Sequence, residues 1–260
     1  MDNTYQDYLE RIAHLTTPAA HASKLKHIVE SPKFIPTADG GREPVSFPGY
    51  SIITPPGAED RANAEFYQVA ADCQTRIAQR LGTNLFAAVP PKSFHLTLAD
   101  LIWDSAYHEA SLDPEFDGKL QHCIGEIFDR IQPSLSSPQS PQWQLSGLVV
   151  MPRAIAVTLN PSNEAAYDRI IALRRAVYQS PSLMQLGIDQ QYNLTAHITL
   201  GYFGASDSPL DSQELAGFLD DCAEAAKTAA PPFSVTRAEL RKFTDMTHYH
   251  REPDFPVLSL

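Results

Sequence analysis

Hydrophobic positions recur along this chain with two periods. A spacing of three to four, that of one helix face, runs through residues 60–81, where Ala64, Tyr67, Val69, Ala70, Cys73, Ile77 and Leu81 form an apolar stripe and Gly82 supplies the stop. The same patterning predicts helices over 4–15, 20–29, 120–131, 163–178 and 211–227. Alternation, or short apolar runs between turn residues, predicts strands over 50–54, 85–89, 94–102, 144–151, 154–159, 195–203 and 233–243. Proline and glycine punctuate these elements. Ser31-Pro32 ends the second helix, Asp39-Gly40-Gly41 and Pro55-Pro56-Gly57 are turns, and residues 133–141 read as a linker.

The order of elements repeats, since each half of the chain holds strands, a long helix and a further strand. A repeat at the scale of whole lobes predicts an α+β, bilobal, pseudo-twofold architecture, with two antiparallel sheets flanking a central cleft and helices outside. Residues 1–48 read as an N-terminal helical and loop extension, 49–245 as the two-lobed domain with strands exchanged between lobes, and 246–260 as a C-terminal tail.

Charge narrows the partners. The formal net charge is −11 over 260 residues, which disfavours a long grip on duplex DNA, because such a grip rests on many Lys and Arg neutralising phosphates. A small anion in a locally positive pocket remains compatible with that charge. The first residues lack a basic region followed by an apolar run, and no apolar stretch is long enough to span a bilayer, so neither a secretory leader nor membrane insertion is expected. Three scattered cysteines, Cys73, Cys123 and Cys222, read as reduced thiols in a cytoplasmic protein.

The chemistry concentrates in two strands. His95-Leu96-Thr97-Leu98 recurs about a hundred residues later as His197-Ile198-Thr199-Leu200. One such string is ordinary strand composition, but two copies in corresponding places are not. On a strand, residues i and i+2 share a face, so each tetrad aims an imidazole and a hydroxyl at the same space. Regular alternation then puts the small residues Ala99 and Gly201 next on that face, turns Asp100 to the opposite face, and turns Tyr202 away from His197 unless a bulge intervenes. Two imidazoles that titrate near pH 6.5 can divide a base role and an acid role, and two hydroxyls can hold the oxygens of an anion. No cofactor is implied. Neither tetrad carries a second metal-ligand type, there is no Gly-x-Ser-x-Gly or P-loop, and the better-spaced pair His248 and His250 lacks a third ligand.

On these two tetrads the chain resembles the two-histidine (2H) phosphoesterase superfamily, whose signature is a pair of His-x-Thr/Ser-x motifs on central strands of two pseudo-symmetric lobes. The resemblance in layout covers residues 50–243, and the N-terminal segment lies outside the shared core. It implies metal-independent attack on a 2′,3′-cyclic nucleotide or a short oligonucleotide phosphodiester, with His95 and His197 as acid and base and Thr97 and Thr199 holding the phosphate. His197 is favoured as the base for attack by water. Substrate contacts are expected from Tyr50, Tyr202, Lys92, Arg153 and Tyr249, with Lys33 and Arg241 as further anion partners. The implied partner is a small phosphodiester, nucleotide or short RNA end. Two other readings stay open: a nucleotide- or RNA-end-binding protein without turnover, and an RNA 2′-5′ ligase-like activity.

Overall fold

The computed structural model describes residues 4–135, 137–190, 192–205 and 210–260. Met1, Asp2 and Asn3, which enter the leader expectation, and Ser136 of the expected linker lie outside them.

Two capped helices come first. In α1 (Tyr5–Leu15) the Thr4 hydroxyl accepts from the Asp7 amide at 3.1 Å, and in α2 (Pro18–Leu25) Thr17 caps with Pro18 in the first turn. The second helix stops earlier than its pattern suggests, because the chain is drawn onto a sheet edge. There the Val29 amide donates to the Pro152 carbonyl and the Ser31 amide to that of Phe203, both at 2.8 Å.

The hairpin of β1 (Phe34–Pro36) and β2 (Arg42–Pro44) leads to β3 (Gly49–Ile53), the long helix α3 (Ala64–Leu85), and then β4 (Phe86–Ala88) and β5 (Thr97–Trp103). Gly82, at φ +76°, breaks α3 where the apolar stripe ends. Helices α4 (Asp104–Ala110) and α5 (Phe116–Leu135) precede β6 (Gln142–Met151), β7 (Ala154–Pro161), α6 (Glu164–Tyr178) and α7 (Pro181–Gln185). The chain closes with β8 (His197–Phe203), α8 (Ser212–Ala229), β9 (Phe233–Ser234), β10 (Arg237–Asp245), β11 (His248–His250) and β12 (Val257–Ser259).

These strands form two five-stranded antiparallel sheets. One runs β11-β10-β3-β5 with β12 beside β10, and the other runs β4-β8-β7-β6-β9. The lobes interlock. Strand β4, from the first half, pairs with β8 of the second. The single strand expected over 233–243 breaks at Val235-Thr236, leaving β9 in the second sheet and β10 in the first. Helices α2, α3 and α8 pack on the second sheet, while α6 touches strands of both.

The first helix and residues 246–260 are both built into the core. Tyr8 and Ile12 of α1 are fully buried, and the Tyr8 hydroxyl donates to the Leu159 carbonyl at 2.5 Å. Residues 246–260, expected as a tail, supply two strands to the first sheet and bury Phe255, Leu258 and Leu260. The expected linker over 133–141 is shorter than its composition suggests, since α5 continues through Pro133 to Leu135 and β6 begins at Gln142. Among the described residues no helix is long and apolar enough to cross a membrane.

Candidate active site

The two tetrads face one cavity of about 570 Å³ between the sheets, well within the range of small-molecule sites. His95, Thr97, His197 and Thr199 all line it. The two histidines are held in the same way. The Nδ1–H of His95 donates to the Ser93 carbonyl at 2.7 Å, and that of His197 to the Thr195 carbonyl at 2.5 Å. Each bond runs to the residue two back in the chain and fixes the tautomer that leaves Nε2 for the cavity. The Tyr249 ring packs on His95 with centroids 4.2 Å apart. Burial, with a smaller contribution from the charge of His197, pushes the His95 pKa down to about 4.

Beyond the threonines, strand alternation fails in the same way twice. Across β3 and β5, Ile53 faces Thr97, Ile52 faces Ala99, Ser51 faces Asp100 and Tyr50 faces Ile102, so Leu98 and Leu101 are extra residues. Across β7 and β8, Ala156 faces Thr199 and Ile155 faces Gly201, so Leu200 is extra. An extra residue reverses the phase of the alternation. Thr97, Asp100 and Trp103 therefore line the cavity at intervals of three, as do Thr199 and Tyr202. This corrects two expectations from regular alternation. Asp100 shares the face of Thr97, and the small residues turn inward. Ala99 is fully buried, and a Cβ on Gly201 would lie 2.3 Å from the Phe86 ring.

The bulges at Leu98 and Leu200 each receive a buried polar side chain from a helix. Arg174 of α6, 1% exposed, donates to the Leu98 carbonyl at 2.6 Å and to the Tyr192 carbonyl at 3.0 Å. Gln74 of α3 donates to the Leu200 carbonyl at 2.5 Å and to the Val89 carbonyl at 2.6 Å. A buried carbonyl without a donor is costly, and the Leu200 carbonyl also accepts from the Val89 amide at 2.9 Å. The pinning crosses between halves, because the first-half helix secures the second tetrad strand and the second-half helix secures the first. Tyr192 in turn donates a short hydrogen bond to Asp100, whose other oxygen accepts from the Ser51 hydroxyl at 3.3 Å.

The remaining wall is aromatic and cationic. Phe47, Tyr202, Phe243, Met246 and Tyr249 lie beside Lys33 and Arg153. Lys33 Nζ sits 4.4 Å from the Phe47 ring centroid and 5.3 Å from that of Tyr202. Of the expected contact residues, Tyr202, Arg153 and Tyr249 line the cavity, as does Lys33. The other three are elsewhere. Tyr50 is fully buried on the far face of β3, between Tyr107 and Phe255. Lys92 is exposed in a 3-10 turn outside the cavity. Arg241 is consumed by ion pairs with Glu59 and Glu239. His248 pairs with Asp245, and among the described residues no three His, Cys, Asp or Glu side chains converge as a metal site would need.

Asp100, Trp103, Arg174 and Gln74 are absent from a reading by regular alternation. Their trace in the sequence is a break in the pattern: each threonine is followed by two consecutive apolar residues, and only then by a polar or aromatic one.

No family model matches the chain, and no curated protein matches it. Among solved structures, a conserved protein of unknown function from Agrobacterium tumefaciens superposes with a TM-score of 0.57 at 15% identity, over 81% of this chain and 86% of that one. The two share a fold. Escherichia coli LigT complexed with 3′-AMP aligns with a TM-score of 0.41 at 14% identity, over 82% of this chain and 98% of that one. Kluyveromyces marxianus Usb1 aligns with a TM-score of 0.42 at 14% identity, over 82% and 97%.

Proposed function

We propose that this chain is a metal-independent phosphodiesterase of the two-histidine type. Its substrate is a 2′,3′-cyclic nucleotide or a short oligonucleotide phosphodiester. One observation carries the reading: two imidazoles, each tethered through Nδ1 to the carbonyl two residues back and each followed by a hydroxyl, face a single cavity.

The chemistry follows from that pairing. His95, depressed by burial, is neutral at pH 7 and offers its Nε2 lone pair as the base. It takes a proton from water as the water oxygen attacks phosphorus. One ester P–O bond breaks, and His197, protonated at Nε2, delivers its proton to the departing ribose oxygen. The product is a nucleoside monophosphate, and the two histidines have exchanged protonation states. Thr97 and Thr199 donate to the non-bridging oxygens as charge builds there. This assignment reverses the preference for His197 as base, on the ground that burial favours the neutral form of His95.

The test is a screen of cyclic and of 2′-5′- or 3′-5′-linked short nucleotides, with product phosphate position read by phosphorus NMR. Turnover of at least one is expected, and ligand recovered unchanged after tight binding would favour a binding protein instead. Thr97→Val and Thr199→Val should each lower kcat by about 10²–10³-fold, as removal of a donor to a developing oxyanion does. The pH profile of kcat/KM reports the free enzyme. Because the His95 pKa is lowered, its base form persists as pH falls below 6.5, so the acid limb should lie towards pH 4, as an apparent value of the coupled pair. An acid limb at or above 6.5 would contradict His95 as the base.

A further inference from the structure

The cavity has a feature that cleavage of a single phosphodiester does not use. Carboxylates outnumber Lys and Arg in this chain by 31 to 20, and neighbouring arginines are paired: Arg42 with Glu30, Arg241 with Glu59 and Glu239. Lys33 and Arg153 line the cavity and form no ion pair with a described residue. Lys33 is half-buried between the Phe47 and Tyr202 rings, and burial lowers its pKa, with Arg153 near enough to lower it further. Asp100 and Asp104 act in the opposite sense from the β5 wall. Asp100 is committed to Ser51 and Tyr192.

The backbone holds the two cations together. Val29 and Ser31 are bonded to Pro152 and Phe203, and the Phe203 amide donates to the Arg153 carbonyl at 2.9 Å. Both cations therefore gather at the Tyr202 end of β8, whereas His197 and Thr199 begin that strand. With Leu200 bulged, Thr199 and Tyr202 stand opposite Ala156 and Ala154, two ladder steps or about 7 Å apart at ~3.3 Å per residue, which is on the scale of one nucleotide. Two like charges sharing one cavity, beside an Asp100 already holding hydrogen bonds from Ser51 and Tyr192, are stabilised when an anion arrives.

We infer that Lys33 and Arg153 form a second anion site, and that the substrate carries a phosphoryl group in addition to the one cleaved. That group is either a 5′-terminal phosphate or the next internucleotide phosphate. The inference deepens the hydrolase reading and rests on it for the position of the first phosphate.

Calorimetric titration of the full chain with product-type ligands tests it, because such ligands report binding apart from turnover. Adenosine 3′-phosphate, adenosine 3′,5′-bisphosphate and the dinucleotide ApAp are the probes. The bisphosphate or ApAp should bind about 10–100-fold more tightly than the monophosphate, the scale of one or two charge-assisted hydrogen bonds. In Lys33→Gln/Arg153→Gln that gain should shrink to within ~3-fold, the residue that loss of such bonds leaves. A gain confined to the bisphosphate assigns the site to a 5′-terminal phosphate, and a gain confined to ApAp assigns it to an internucleotide one. Equal affinities for all three, no binding of any, or a gain that survives the double substitution overturns the inference. Cyclic phosphate turnover on the same preparations separates the two proposals. Turnover without the affinity gain sinks only the second site, and the gain without turnover sinks the hydrolase.

Discussion

His95→Ala and His197→Ala should each lower the turnover of a nucleoside 2′,3′-cyclic phosphate by about 10²–10⁴-fold, the usual worth of one positioned acid or base. The two losses should not add. Once either proton partner is gone the concerted transfer is lost, so the double variant should resemble the worse single one. Neither substitution should unfold the protein, because each histidine is only half-buried and bonds to one carbonyl two residues away. The singles should differ in pH dependence. His197→Ala keeps the His95 base and should keep the acid limb, whereas His95→Ala should lose it. Melting curves beside the rate measurements separate lost chemistry from lost fold, and full activity in either variant contradicts the assignment.

Arg174→Leu should have the largest effect outside the cavity. Arg174 supplies donors to the carbonyls of Leu98 and Tyr192 and lies against the rings of Tyr178 and Tyr192. Leucine leaves both carbonyls without that donor, at about 1–3 kcal/mol each. With ~2–4 °C of melting temperature per kcal/mol, a fall of at least about 5 °C is expected. Activity should fall further than stability alone explains. The Leu98 bulge places Asp100 and Trp103 relative to Thr97, and a displacement of ~1 Å in such a site costs on the order of 10²-fold. Arg174 touches no reacting atom, so it is a positioning residue. Arg174→Lys, which keeps the charge but not the fork, should recover part of the melting temperature and less of kcat/KM. Unchanged melting temperature and turnover in Arg174→Leu would show that the bulge holds without it.

Much of the scaffold can be read from the chain because it rests on local physics. Helix α3 follows its apolar stripe and breaks at Gly82, where φ turns positive. The tetrads mark the two strands that meet at the cavity. Regular alternation misses the bulges, two of which, at Leu98 and Leu200, meet donors from distant helices. Leu98 looks like an ordinary inward residue until Arg174, from a helix of the other half, claims its carbonyl. The same holds for Leu200 and Gln74. Asp100 and Tyr202 come to the cavity only as consequences. Strand 233–243 splits between sheets because the lobes share it, and residues 246–260 become structure because β10 offers edges to pair with. These are non-local facts, and no window of the sequence contains them. Tyr50 failed as a contact for a simpler reason: β3 is covered on both sides, and its alternation sends Ser51 to the cavity and Tyr50 to the core.

We propose that two histidines and two threonines perform metal-free hydrolysis at one composite site. Incubation with a nucleoside 2′,3′-cyclic phosphate in excess EDTA and ¹⁸O-labelled water is the decisive experiment. Sustained turnover, one labelled oxygen in the product phosphate, and loss of both in His95→Ala/His197→Ala are expected. Turnover that appears only when a divalent metal is restored, or that survives the double substitution, contradicts this proposal.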